Sequence, residues 1–365
     1  MRLAVTFIVV ALLAVIPANA VAGEVRVMTR NLYLGTKLTP LIAATTPGEF
    51  LAAARSALAQ VAANNFPERA GALAEEIVER RPHLVALQEV MDFTQGGNGP
   101  VPFRDYLIDL LDAIAARGGG YIVAAVVQNL AVAIVLPDLG VVGIVDRDVI
   151  LARTDVRTTV VPTGLLCTQP SADGCNYEVV VEIPTPFGTT IPIERGFVAV
   201  DATVGESHVR FVNTHLEVKD AANPLSGVFQ FAQAAQLLGT LAALPTPAGA
   251  SIIVAGDLNS SPGDAITLVN GLAIVPPYLQ LVSAGYTDVW ALHRGRRSGF
   301  TCCELPDLSN PTSIATERID LVFSSTEPLA VKARVTGSKP FDRTGPSPLW
   351  PSDHAGVVAE MELPP

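Results

Sequence analysis

The chain has 365 residues, of which 49% are apolar, and 24 Lys and Arg against 35 Asp and Glu leave a formal net charge of -11. That is ample apolar material for a large core. The acidic balance excludes general electrostatic attraction to nucleic acid, which needs clustered Lys and Arg, but not an enzyme whose bound cations bridge it to phosphate.

Arg2, an almost unbroken apolar run over 3–17 and the small-x-small tripeptide Ala18-Asn19-Ala20 read as a secretory signal peptide over residues 1–20. The run is shorter than the roughly 20 residues of a membrane span, and later apolar stretches are broken by Pro, Gly or charge. The expected product is secreted, extracellular or periplasmic, with residues 21–365 as a single domain. Cysteine usage suits export. Cys167 and Cys175 flank a turn-rich stretch between strand-like segments, which predicts a disulfide closing a hairpin loop. Cys302 and Cys303 are adjacent, and either a vicinal disulfide or two thiols fits. Neither C-x-x-C spacing nor paired histidines support zinc.

In chain order, 25–31 alternates as a strand, and 50–64 and 67–80 read as helices, the second placing Ala70, Leu73, Ile77 and Val78 on one face. A buried strand over 84–87 ends in Gln88-Glu89, and a helix is expected over 103–116. Residues 121–204 read mainly as β, with turns at 137–138, 163–164 and 186–188. Strands follow at 209–212, 251–255, 319–323 and 355–361, helices at 229–243 and 264–273, and a long loop at 294–316. The excess of strands over a simple β-α repeat predicts an α/β fold in which a two-layer β-sandwich is flanked by helices.

Six of the apolar runs begin or end in groups able to bind metal or move protons: Asn31, Glu89, Asn213 with His215, Asp257 with Asn259, Asp320, and Asp353 with His354. Charge is costly to bury unless paired or metal-bound. Gathered at one sheet edge, these groups would supply what phosphoryl chemistry requires: a cation on the phosphate, a base for water and help for the leaving oxygen.

Here Thr29-Arg30-Asn31-Leu32-Tyr33, Leu87-Gln88-Glu89-Val90, Asn213-Thr214-His215-Leu216, Gly256-Asp257-Leu258-Asn259, Arg318-Ile319-Asp320-Leu321-Val322 and Ser352-Asp353-His354 resemble the endonuclease/exonuclease/phosphatase superfamily in order and type. That superfamily includes deoxyribonuclease I, apurinic endonucleases, neutral sphingomyelinases and inositol phosphatases. Each tripeptide alone is also ordinary turn or capping chemistry; the signal lies in six of them in order. The resemblance implies a deoxyribonuclease I-like fold and dependence on Mg²⁺, with Mn²⁺ as the alternative. It implies Glu89 as principal metal ligand with Asn31 beside it and Asp353 adding a contact. It further implies Asp257 orienting or deprotonating water, Asn259 and Arg195 holding phosphate, Asp320 fixing the tautomer of His354, and His215 assisting the leaving group. The base role falls to Asp257 or to His354. Tyr33 stands where many members carry an acid, which favours a site centred on one tight cation. His83, His208 and His293 lack motif context and are expected to be structural, as are Asp288, a turn or cap, and Trp290, a packing residue.

The expected substrate is a phosphate ester, either nucleic acid or phospholipid. The phospholipid reading adds transient contact with a membrane surface through apolar loops near 273–281 and 346–351. No obligate protein partner is evident, and the reading of another class is a catalytically weak surface module that keeps the fold.

Overall fold

A computed structural model of the chain describes residues 23–96, 104–138, 140–220, 225–293, 295, 298–345 and 348–364. The expected leader, the first residue of the helix expected at 103–116, and parts of the loops at 294–316 and 346–351 lie outside them. The main elements are β1 (Gly23–Asn31), α1 (Pro47–Ala63), α2 (Phe66–Arg80), β2 (Leu84–Gln88), α3 (Tyr106–Ala116), β3 (Tyr121–Leu136), β4 (Gly140–Arg153), β5 (Val181–Pro184), β6 (Thr190–Ile193), β7 (Gly196–Val204), β8 (Ser207–His215), α4 (Leu225–Ala243), β9 (Ser251–Asp257), β10 (Asp320–Ser324), β11 (Ala330–Thr336) and β12 (Gly356–Leu363).

Local chemistry sets several of these boundaries. Thr46 and Glu49 form a capping box at the start of α1, with Pro47 in the first turn. Asp105 caps α3 by accepting the Leu107 N–H, so that helix starts at Tyr106. The helix expected over 264–273 is instead a hairpin of strands Thr267–Val269 and Leu272–Ile274. Asn270 and Gly271 at its turn have φ of 51° and 80°. Two successive left-handed residues are what a tight hairpin needs, and Asn-Gly is its commonest sequence.

The strands form two large sheets. One runs β11-β12-β1-β2-β4, continues to the strand Asp92–Gly96, and has β3 paired to β4; the other contains β10-β9-β8-β7 in order. Strict alternation divides the side chains between layers. Val25, Val27, Leu84 and Ala86 of the first sheet pack with Val198, Val200, Ile253, Ala255 and Val322 of the second, making the sandwich core. Met28, Val85 and Leu87 face the other way, under α1, α2 and α3. Val212, Val254, Leu321 and Phe323 lie under α4. A one-residue slip in any strand would exchange its two faces, so the double-sided burial fixes register. This is the α/β sandwich between helices that the sequence predicts.

Below the rim the two sheets are strapped by amides. Asn213 donates to Leu87 O at 2.8 Å and Val149 O at 3.0 Å, and accepts from Gln88 Nε2 at 2.7 Å. Asn213 is therefore a tie between sheets. The Cys167–Cys175 disulfide closes its loop as expected. Of the two apolar loops, Ile274, Pro277 and Leu281 are buried, as is Trp350, so much of both belongs to the core.

His83 Nδ1 accepts the Arg26 N–H at 2.9 Å, and burial, with Arg153 nearby, pulls the imidazole down to about 4. The unfolded chain takes up this proton from about pH 6.5 downward, whereas the folded chain resists until about pH 4. Its contribution is thus full above pH 6.5 and lost as pH falls toward 4. His83→Asn keeps an acceptor without the titration, so its melting temperature should fall by a few degrees less than wild type between pH 7 and pH 4. Parallel melting curves for the two proteins would refute the assignment.

Candidate active site

Topology explains why the polar ends meet. β1 and β2 are parallel, with Asn31 opposite Gln88, so Glu89 emerges beside Asn31. β8 and β9 are parallel, with His215 opposite Asp257; β10 runs antiparallel and starts at Asp320, opposite Asp257. β12 is antiparallel to β1, so Asp353 and His354, just before it, arrive at the same rim. Parallel strands deliver their last residues there and antiparallel ones their first.

Asp257 Oδ2 is the hub. It accepts from Asn31 Nδ2 at 3.1 Å and lies 3.6 Å from His215 Nε2 and 3.7 Å from His354 Nδ1. The other N–H of the same Asn31 amide donates to Glu89 Oε1 at 3.0 Å. Glu89 also accepts the Leu34 N–H. His354 Nδ1 lies 2.8 Å from Asp320 Oδ2. Arg195 donates from NH1 to His215 Nδ1 at 2.9 Å. Because guanidinium can only donate, this contact leaves the proton of a neutral His215 on Nε2, facing Asp257.

The charge states follow from burial and neighbours. Burial pushes Asp257 up to about 7; the His354 cation opposes this, and the Asp320 and Glu89 charges add to it. Burial alone would lower His354, but Asp320, Asp257 and Asp353 outweigh it and hold the imidazole well above its usual range. His215 is driven well below that range by burial, Arg195 and His354. One histidine is kept cationic and the other neutral. Burial also lifts Asp353 to about 7, with the Glu89 charge contributing.

Asn259 sits at the rim with φ of 47°; its N–H donates to Asp257 Oδ1 at 3.0 Å and its Nδ2 to Leu216 O at 2.9 Å. Arg195, expected to face phosphate, spends one nitrogen on His215 and has Glu217 3.9 Å from its Nε. His83, His208 and His293 make local contacts to Arg26 N, Thr203 Oγ1 and Ala333 N. Asp288 accepts the Trp290 N–H and also holds Arg318 through two contacts of 3.1 and 2.6 Å. Cys302 and Cys303 are paired with each other, and Cys303 Sγ lies 3.9 Å from His354 Nε2.

Four further residues contribute to the site without belonging to the expected catalytic and metal-binding set. Asp146 and Asp148, on β4, are buried; burial raises Asp146 to about 7, with Arg195 opposing and Glu89 adding. Their alternation with Arg147 in an otherwise apolar strand was the available signal. Arg30 donates to His354 O and, at 3.1 Å, to Glu76. Arg69 donates to Leu32 O at 2.8 Å and Pro351 O at 2.9 Å, joining the loops after β1 and before β12. A charged residue on the core stripe of α2, beside Ala70 and Leu73, marked it.

The donor chemistry fits a hard divalent cation. Carboxylates and amide oxygens dominate, and the Oδ1 atoms of Asp320, Asp146 and Asp148 are buried without hydrogen-bond partners.

A sandwich of two mixed sheets, with carboxylates, imidazoles and amides gathered at one rim, defines a phosphoesterase fold of the deoxyribonuclease I-like class. The chain belongs to the Endonuclease/Exonuclease/phosphatase family, whose model matches residues 58–354. No curated protein matches it. Among solved structures, an endonuclease/exonuclease/phosphatase family protein from Leptotrichia buccalis is 15% identical, with a TM-score of 0.52 over 93% of this chain and 100% of that one. The endonuclease/exonuclease/phosphatase from Beutenbergia cavernae is 20% identical, with a TM-score of 0.51 over 93% and 72%. Truncated TDP2 from Caenorhabditis elegans is 17% identical, with a TM-score of 0.50 over 93% and 97%. At these identities the likeness is one of fold.

Arg195→Met keeps length and apolar volume but frees His215 Nδ1. We expect kcat to fall about 100-fold, and nitrogen NMR to show His215 losing its single Nε2–H tautomer. An unchanged tautomer would remove Arg195 from this role.

Proposed function

We propose that the protein is a secreted, Mg²⁺-dependent phosphodiesterase that hydrolyses its ester by direct attack of water, with Mn²⁺ as a substitute cation. The observation that carries the reading is the position of Asp257, between an amide bound to Glu89 and two imidazoles held in opposite charge states. Export rests on residues 1–20 and is supported by the Cys167–Cys175 pair. Glu89 and Asn31, with Asp353, would hold the cation, which supplies charge neutralisation on the phosphate and a more acidic water.

This chain's own residues divide the remaining work. Asp257, lifted to about 7, is a base matched to neutral pH and takes the proton of the attacking water. Cationic His354, oriented by Asp320, binds the non-bridging phosphate oxygens as negative charge builds. His215 presents Nε2–H as a hydrogen-bond donor to the leaving oxygen, and Asn259 and Arg195 border the phosphate. Nucleic acid and phospholipid are the two substrate classes in contention. A catalytically weak surface module is disfavoured, because the polar set is complete apart from Tyr33 and its members are poised against one another.

Asp257→Ala and His354→Ala should each lower kcat/KM by 100-fold or more, and a chelator should abolish turnover. The assay is hydrolysis of bis(p-nitrophenyl) phosphate, plasmid DNA, RNA and sphingomyelin, with circular dichroism confirming that both variants fold. Full activity in both variants would sink the site assignment, and turnover indifferent to chelator would sink the metal.

A further inference from the structure

A cavity of about 150 Å³ opens directly beside the catalytic rim, with Glu89, Asp146, Glu194 and Arg195 in its lining. Apart from Thr36, the rest of its wall is apolar and almost wholly aliphatic. Its wall is built by the segment 34–42 after β1, α1, Met91 and Phe93 after β2, the β3–β4 hairpin and the β5–β6 hairpin. Alternate residues of β3, from Leu130 to Leu136, face the cavity, while Ala131, Ala133 and Val135 between them are exposed. The β5–β6 hairpin repeats the pattern, with Ile191 and Ile193 lining the cavity and Pro192 exposed. Both hairpins are pinned to α1 at their tips. Phe187 meets the Phe50 ring edge-on at 5.6 Å, and Asp138 binds Arg55 at 2.7 Å.

The cavity's chemistry distinguishes the two substrate classes. Single-stranded nucleic acid calls for aromatic platforms under its bases and a train of cations along its phosphates. Here only Phe50 and Phe93 in the wall are aromatic, and the polar end holds three carboxylates against one arginine. One phosphate fits at the rim, and what adjoins it must be apolar. An aliphatic pocket with a few convergent polar groups at one end matches an amphiphile.

We propose that this cavity is the chain subsite of the phosphodiesterase, and that the substrate is a lipid-like phosphodiester. One aliphatic chain lies between α1 and the two hairpins while the phosphate sits at the rim near Glu89 and Arg195. The inference rests on the phosphodiesterase reading above and names its substrate class. An apolar cavity of this volume holds a six-carbon ring, so about six chain carbons are enclosed and longer chains extend beyond it.

The test is a series of p-nitrophenyl alkyl phosphates, methyl, butyl, hexyl and octyl, assayed with Mg²⁺ below their micelle concentrations. In each, water's oxygen bonds to phosphorus as the bond to p-nitrophenolate breaks; the water proton goes to Asp257 and the phenolate leaves as the anion. We expect kcat/KM to rise about fourfold per methylene up to about six carbons and then level off. Ala57→Trp, which fills the cavity, and Ile134→Gln, which makes its wall polar, should each flatten the series and leave the methyl ester within twofold of wild type. Hydrolysis of the methyl ester without chain dependence, or a series unmoved by both variants, would overturn the chain subsite alone. Plasmid DNA turned over more efficiently than any alkyl ester would assign the site to nucleic acid. Silence toward every ester, bis(p-nitrophenyl) phosphate included, would overturn the phosphodiesterase reading and the substrate class with it.

Discussion

A carboxylate removed from water must find donors or give up its charge. Asp257, 1% exposed, stands under that demand at the rim, and Asp320 and Glu89 add their own negative charge to it. Its answer comes from both sheets. Asn31, at the end of β1, donates from the first, while the Asn259 N–H donates from the second, with the His215 imidazole 3.6 Å away. The bond from Asn31 to Asp257 therefore spans the sandwich, and the rim closes only if the sheets dock in one register. Asn213 and Gln88 enforce that docking from below by occupying each other's hydrogen-bonding groups and the carbonyls of Leu87 and Val149.

Holding so many groups in place strains the backbone locally. Tyr33, Glu89 and Asn259 all have φ between 47° and 64°, a region that costs ordinary residues free energy. The surrounding contacts over-determine each of them. Tyr33 N–H donates to Asn31 Oδ1, Glu89 is gripped through both carboxylate oxygens, and Asn259 is bound through backbone and side chain. Buried arginines act behind them. Arg69 gathers the carbonyls of Leu32, Asn64 and Pro351 while lying over the Phe66 ring at 4.8 Å, and Arg30 reaches His354 O. The loop that follows Asn31 and the loop that carries His354 are thus fixed to each other through α2, with no direct bond between the two side chains.

The sandwich and the six polar strand ends were legible in the sequence because both are periodic or local signals. Val25 and Val27 alternate with outward residues whatever else the chain does, and a polar pair at the end of an apolar run stands out. The apolar spacing over 264–273 suits helix and hairpin alike, and what decides for the hairpin is the two-residue turn Asn270-Gly271 rather than the pattern around it. Arg69 and Asp146 are illegible in the sequence for another reason. Each serves groups distant in sequence, Pro351 for Arg69 and Arg195 for Asp146, and nothing local announces such a partner. The sequence marks Arg195 as a cation near phosphate, but its bond to His215 depends on β7 and β8 being paired with Gly196 opposite His215. Sequence reveals which groups can do chemistry. Which tautomer they adopt depends on pairings that only the folded sheets create.

Tyr33 shows how one departure from the family pattern redistributes these tasks. Its phenol donates to Pro306 O, and its ring packs with Leu308 and Trp350, all three buried together. Burial and the nearby Asp353 and Glu89 charges keep that phenol protonated. The position therefore supplies no negative charge and instead braces the loop after β1 against the two loops that flank His354. Negative charge at the rim is then divided between the sheets, with Glu89 following β2 of the first and Asp257 and Asp320 on β9 and β10 of the second. Glu89, Asn31 and Asp353, which would hold the cation, are carried by the first sheet, and the carboxylates of Asp257 and Asp320 are brought to them only by docking. The same brace leaves the side of Glu89 facing α1 free of further acid from this loop; Leu34, which donates its N–H to Glu89, begins the apolar wall there. Tyr33 thus braces the loop after β1 beside the polar seam, and the apolar wall begins one residue further on, at Leu34.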